Sequence, residues 1–145
     1  RYRDRAERLC RELGLQGQVH FLGHCPTVPA LLMGHQLFVL STPYEGMPLA
    51  LVEAMAAGCA VVGTAVVGVQ EMLHDGVDGK LVPHANPKAL ADVIEALLRQ
   101  PEQAAKIAAH ARERALREFS VSQMAANYSS HLRSAFEQGL RRLQN

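Results

Sequence analysis

Two runs of four residues, Leu37-Phe38-Val39-Leu40 and Ala60-Val61-Val62-Gly63, contain no polar side chain. A strand with one wet face alternates apolar and polar residues, whereas a strand covered on both faces has no need to. Both runs therefore read as buried strands of a parallel sheet. Parallel neighbours need a crossover, and residues 48–57 supply one as a helix. Pro48 suits a first helical position, and Gly58 suits the left-handed stop that closes it. Strand, helix and strand in this order predict an α/β chain: a Rossmann-like parallel sheet flanked by helices.

The flanking sequence fits that architecture. Arg3 to Leu13 carries Ala6, Leu9, Cys10 and Leu13 at helical spacing, with Gly14 at the stop. Val19-His20-Phe21-Leu22 reads as a short strand ending at Gly23, and Thr27 to Gly34 as a short helix holding Val28, Leu31 and Leu32. Two turn signals in Asp75-Gly76-Val77-Asp78-Gly79 precede a last strand, Lys80-Leu81-Val82. Asn86 caps a helix with Pro87 at its first position, and Leu90, Val93, Ile94, Leu97 and Leu98 form its apolar face. Pro101 opens an Ala-rich helix to about Phe119. Ser120 and Gln123 have capping-box spacing for a third, with a stripe of Ala125, Tyr128, Leu132 and Phe136 that either packs or is in part exposed apolar surface. With 145 residues and no repeat, low-complexity tract or linker, the chain is expected to be one unit, 1–145.

Charge and cysteine usage exclude several classes. The net charge is +1, and the densest basic run, Arg1, Arg3, Arg5, Arg8 and Arg11, is interleaved with Asp4, Glu7 and Glu12. This leaves no electrostatic footprint for nucleic acid, and the run reads as a solvated helix face ahead of a phosphate or lipid surface. Cys10, Cys25 and Cys59 form no C-x-x-C pair, which fits reduced thiols in a cytoplasmic protein. No apolar run reaches membrane-spanning length. The start, Arg1-Tyr2-Arg3-Asp4, lacks Met and any signal-peptide pattern, so the chain is expected to be a piece cut from a longer one. The seven histidines show no H-E-x-x-H spacing, and no metal site is expected. G-x-S-x-G, the nucleotide P-loop and G-x-G-x-x-G are all absent from the sequence.

The chemistry concentrates in Ser41 to Glu53, which joins the carboxyl end of one buried strand to the helix after it. In open α/β sheets ligands bind at that edge. Gly46 leaves room for backbone approach, and the N–H groups at Leu49 and Ala50, with the helix dipole, make an anion site suited to a diphosphate. Glu53 is the one charge in an otherwise apolar helix, so it is expected to be buried and to need partners. These are either the two hydroxyls of a ribose or protein donors. Glu45 either complements the helix dipole, or holds a sugar hydroxyl and stabilises positive charge at the sugar carbon. Ser41 and Thr42 either cap the helix or bond phosphate. His24-Cys25-Pro26, at a strand's carboxyl edge, is a candidate border for the nucleotide base.

Glu45 and Glu53 stand seven residues apart, and Tyr44-Glu45-Gly46-Met47-Pro48 through Glu53-Ala54-Met55-Ala56-Ala57-Gly58 resembles the E-x7-E motif of the group 1, or GT4-type, retaining glycosyltransferases. Val19 to Gly23, Leu37 to Ser41, Ala60 to Gly68 and Gly79 to Pro83 are similar to that family's donor-domain blocks in order and spacing, and Asn86 to Leu98 to the helix after them. The resemblance implies the C-terminal half of a GT-B fold, two Rossmann-like domains facing across a cleft, with the first two donor-domain strands missing. In the implied order 3-2-1-4-5-6 those strands would lie between Val19 and Leu37. Either these two pair directly, or a second copy fills the gap, or the piece is marginally folded.

By the same resemblance Glu45 contacts the donor sugar, the backbone at Gly46, Met47, Pro48, Leu49 and Ala50 holds sugar and diphosphate, and Glu53 binds the ribose. It implies a nucleotide-diphosphate sugar as donor and no metal or other cofactor. Transfer would retain configuration by front-face attack without a protein nucleophile. The implied partner is the missing N-terminal domain of the same protein, with peripheral membrane contact through the full-length chain, a setting in polysaccharide or glycolipid synthesis at the inner face of the membrane, and self-association of the fragment. Alone, the fragment is expected to be inactive. The family's Arg and Lys grip on the diphosphate would lie on the missing strands. Where the family has Gly-Gly-x-Pro-Glu, this chain has Val67-Gly68-Val69-Gln70-Glu71, so one glycine that would allow close backbone contact there is missing, and Glu71 reads as a surface or capping acid. The rival reading is a non-catalytic sugar-nucleotide-binding scaffold or degenerate subunit; a GT-B epimerase ranks last, since it lacks E-x7-E in this form.

Overall fold

The computed structural model describes residues 2–143, so Arg1 of the basic run lies outside it. Among these residues β1 (Leu37–Leu40), β2 (Ala60–Thr64) and β3 (Lys80–Val82) form one parallel sheet in the order β1-β2-β3. Phe38 pairs with Val61, Leu40 with Gly63, and Gly63 with Leu81. The two-residue period then sorts the side chains. Phe38, Leu40, Val61 and Leu81 meet the buried Leu51 and Met55 of α3 (Leu49–Ala57), together with Val69, Leu73, and Ala111 and Ala115 of α6 (Pro101–Glu118). Leu37, Val39, Val62 and Val82 meet Leu90, Val93 and Leu97 of α5 (Pro87–Arg99) and the start of α6 at Ala104 and Ile107. Both sheet faces are covered, which is what all-apolar strands require. Gly63 allows this closeness: a Cβ there would lie 2.5 Å from Val69 Cγ1.

The helix signals act as the sequence indicates. Gly58 closes α3 at φ +86°, and Asn86 Oδ1 accepts the Ala89 N–H at 3.0 Å. At α7 (Val121–Leu143) Ser120 Oγ accepts the Gln123 N–H at 3.2 Å, but the Gln123 amide donates to Asn127 instead of returning to the cap, so only half the box forms. A one-turn helix, α4 (Val67–Gln70), follows β2 where none was expected.

Three apolar stretches are left without cover among the described residues. Val19 to Leu22 is not a strand, because among the described residues no strand lies beside it to take its N–H and C=O groups; it does not pair with β1. α1 (Tyr2–Glu12) buries only Cys10 of its apolar face, leaving Leu9 and the following Leu13 exposed. The stripe on α7 lies mostly open among the described residues, with Tyr128, Leu132 and Phe136 each about two-thirds exposed, at 67%, 66% and 69%. Leu98 on α5 is likewise exposed.

A buried ionic cluster ties the loop before β3 to α6. Asp78 accepts the His74 backbone N–H at 2.7 Å and the Arg114 guanidinium at 2.9 Å. Arg114 also donates to the Met72 carbonyl at 2.9 Å and to Glu118 at 2.8 Å, and its guanidinium carbon sits 5.6 Å from the Phe119 ring centre. Burial works against the charge on Arg114, but hydrogen bonds to Glu118 and Asp78 outweigh it and lift the guanidinium pKa above its ordinary value. Hydrogen bonds from Arg114 first and Arg117 second hold the Glu118 carboxyl below the usual carboxylate range. The three cysteines are free thiols, and burial pushes the Cys59 thiol up, keeping it protonated.

Candidate functional site

The parallel strands deliver their following loops to one edge of the sheet, the ligand edge of open α/β folds. The β1–α3 loop is fixed there from two sides. Thr64, the last residue of β2 and buried, donates its hydroxyl to the Thr42 carbonyl at 2.6 Å and accepts the Thr42 N–H at 3.1 Å. Thr42 Oγ1 in turn donates to the Tyr44 carbonyl at 2.8 Å and accepts the Tyr44 N–H at 3.3 Å. Thr42 is thus part of a turn, neither a helix cap nor a free phosphate donor. From the other side Gly68 presses its backbone against the loop: a Cβ there would meet the Gly46 carbonyl oxygen and lie 2.5 Å from that of Glu45. Close backbone contact is therefore kept here with one glycine of the pair, against the donor turn itself. Gly68 alone makes it, while Val67 stays exposed and Glu71 sits exposed at the end of α4.

Glu45 is half-buried on this turn, and among the described residues its carboxylate has no hydrogen-bond or ion-pair partner. Gly46 and Met47 are exposed beside it, and Pro48 is the N-cap of α3 at φ −74° and ψ 90°. The first N–H groups of a helix, here Leu49 and Ala50, have no intrahelical acceptor, and no side chain caps them. No acid stands in the first turn, so the positive end of the helix faces solvent with its donors open.

Glu53 departs from expectation: it is exposed, not buried. Leu51, Ala54 and Met55 carry the buried side of α3, while Leu49, Ala50 and Glu53 share its open side, one turn apart. An all-apolar helix need not be buried all round, since alanine and single leucines tolerate water. The desolvation argument for a ligand at Glu53 therefore fails. What remains is position: a carboxylate with no partner among the described residues, one turn down the open face from the free N–H groups.

Next to this turn, on the α5 side, a cleft of about 340 Å³ opens between Ser41–Pro43, Thr64 and the loop 83–87. Ala85 lines it in the left-handed conformation, at φ +56°. Sequence reasoning found neither this cleft nor Thr64 and Gly68. A hydroxyl ending an otherwise apolar strand was the one available signal for Thr64. His24 is exposed and Cys25 half-buried in irregular chain, so their reading as a strand-edge border of a base loses its premise. Among the described residues no three His, Cys, Asp or Glu side chains gather to hold a metal, and no helix is long and apolar enough to cross a membrane.

A family model described as glycosyl transferases group 1 matches residues 1–114. The chain is 30% identical over 122 residues to the N-acetyl-alpha-D-glucosaminyl L-malate synthase of Bacillus anthracis, covering 84% of this chain and 32% of that protein. It is 28% identical over 118 residues to the lipopolysaccharide core biosynthesis glycosyltransferase LpsE of Rhizobium meliloti, covering 81% and 35%. Among solved structures, Anabaena HepE in complex with UDP and glucose matches with a TM-score of 0.86 at 29% identity, over 92% of this chain and 36% of that one. The chain spans about a third of the length of the curated relatives it matches.

Proposed function

Because the chain belongs to the group 1 glycosyl transferases and shares their GT-B architecture, we propose that residues 1–145 form the C-terminal, donor-binding domain of a retaining glycosyltransferase. The donor is a nucleotide-diphosphate sugar seated on Glu45 to Glu53. One observation carries the reading: the uncapped start of α3 presents open N–H groups between two carboxylates that have no partner among the described residues. The backbone at Gly46, Met47, Leu49 and Ala50 holds sugar and diphosphate, with Pro48 fixing the first turn. Glu53, one turn along the open face, accepts two ribose hydroxyls. Glu45 takes sugar hydroxyls and stabilises the positive charge that develops as the anomeric carbon leaves the diphosphate. Helix donors in place of a metal ion then neutralise the leaving group. HepE, solved with UDP and glucose, supports this class of donor.

The acceptor and its binding domain lie in sequence beyond these residues, and the chain alone does not turn over. The setting is glycan or glycolipid assembly in the cytoplasm, at the inner membrane face, and the exposed apolar stripes of α1 and α7 favour self-association of the isolated chain. Titration with UDP, GDP and ADP tests the donor site. One of the three is expected to bind, and Glu53→Gln to weaken it by roughly tenfold or more, the scale of hydrogen bonds to a charged group. The melting temperature should not move, because Glu53 is exposed and supports nothing in the fold. Equal affinity for wild type and Glu53→Gln contradicts the ribose role.

A further inference from the structure

The ladder between β1 and β2 ends at Leu40 and Gly63. Beyond it the chain bends towards α3, and the backbone polar groups of Thr42 lose the partners a longer strand would give them. Thr64 replaces that missing ladder with a side chain. Thr64 is 5% exposed at the end of β2; its hydroxyl serves both the N–H and the C=O of Thr42, and the Thr42 hydroxyl serves both backbone groups of Tyr44. Two hydroxyls in series therefore run from the sheet to the residue before Glu45. Glu45 has no anchor of its own among the described residues, so its direction depends on the backbone that carries it.

We propose that Thr64 is a positioning residue of the donor turn, acting through Thr42 and Tyr44 to aim Glu45 and the Gly46 backbone at the bound sugar nucleotide. The inference rests on the donor reading above. A hydroxyl is the group required, because only one atom that both donates and accepts can satisfy the two faces of a single residue's backbone. Valine has nearly the same shape without that atom, and serine keeps the atom without the methyl.

The test compares wild type, Thr64→Val and Thr64→Ser by nucleotide titration, with UDP, GDP and ADP as probes, and by amide hydrogen exchange. In Thr64→Val the Thr42 amide is expected to exchange faster, and affinity for the bound nucleotide to fall roughly fivefold or more. Thr64→Ser should restore both to within about twofold of wild type, whatever its melting temperature. Unchanged affinity in Thr64→Val overturns the proposal while leaving the donor reading intact. Equal losses in both variants overturn it too, since the methyl packing and not the hydroxyl would then matter. Failure of wild type to bind any of the three defeats the donor reading, and Thr64 is then only a structural latch.

Discussion

Gly68→Ala is expected to weaken nucleotide binding by on the order of tenfold or more and to cost about 1–3 kcal/mol of stability. The added carbon has nowhere to go. It would meet the Gly46 carbonyl oxygen, and it would come within 2.5 Å of the Glu45 carbonyl oxygen and 2.7 Å of the Gly46 carbonyl carbon, all of them backbone atoms of the donor turn. A flexible side chain could swing aside, but these atoms move only if the turn moves. α4 cannot yield instead, because Val69 is fully buried against the sheet. Titration and thermal melting separate the two effects: the affinity loss should exceed that of an exposed-surface substitution with the same drop in stability. Wild-type affinity in Gly68→Ala would mean that the turn tolerates displacement, and that Glu45 and Gly46 are not aimed at a ligand.

Arg114→Met should be the most destabilising single change outside the apolar core, by about 3–5 kcal/mol, lowering the melting temperature by roughly 10 °C or more. Methionine is long enough to fill much of the space, so the loss comes from the partners left behind. Asp78 is only 2% exposed, and it would keep a buried charge without the guanidinium that balances it. The Met72 carbonyl loses its guanidinium donor in the same step, and Glu118 is left with Arg117 alone. Replacing Asp78 as well, by Asn in Arg114→Met, should recover part of the loss, because the unbalanced charge is then gone. A melting curve that hardly shifts in Arg114→Met would show that the cluster contributes little.

The contrast between these residues explains what could be read from sequence. The strands, α3, α5 and α6 announce themselves locally. Runs without a polar residue need two covered faces, and Pro48, Gly58, Asn86 and Pro101 punctuate the helices between them. The donor turn is legible for the same reason, since Glu45, Gly46 and Glu53 are close in sequence and share one loop and one helix. Contacts between distant residues leave no such trace. Thr64 and Thr42 stand 22 residues apart, and Arg114 and Asp78 stand 36 apart. Nothing local marks either member as half of a pair.

Apolar periodicity has a further limit: it identifies a greasy face without saying what covers it. The pattern at Val19 to Leu22 and on the outer side of α3 predicts cover, and on the α7 stripe it allows either packing or exposure; all three are open to solvent among the described residues. Glu53 is exposed for that reason, and it is position rather than burial that recommends it.

The most direct test of the donor turn is to follow backbone amide resonances while the chain is titrated with UDP, GDP and ADP. The largest shifts are predicted at Gly46, Met47, Leu49, Ala50 and Glu53, around the uncapped start of α3. Shifts concentrated instead at Val82 to Asn86, in the neighbouring cleft, or none with any of the three, would contradict it.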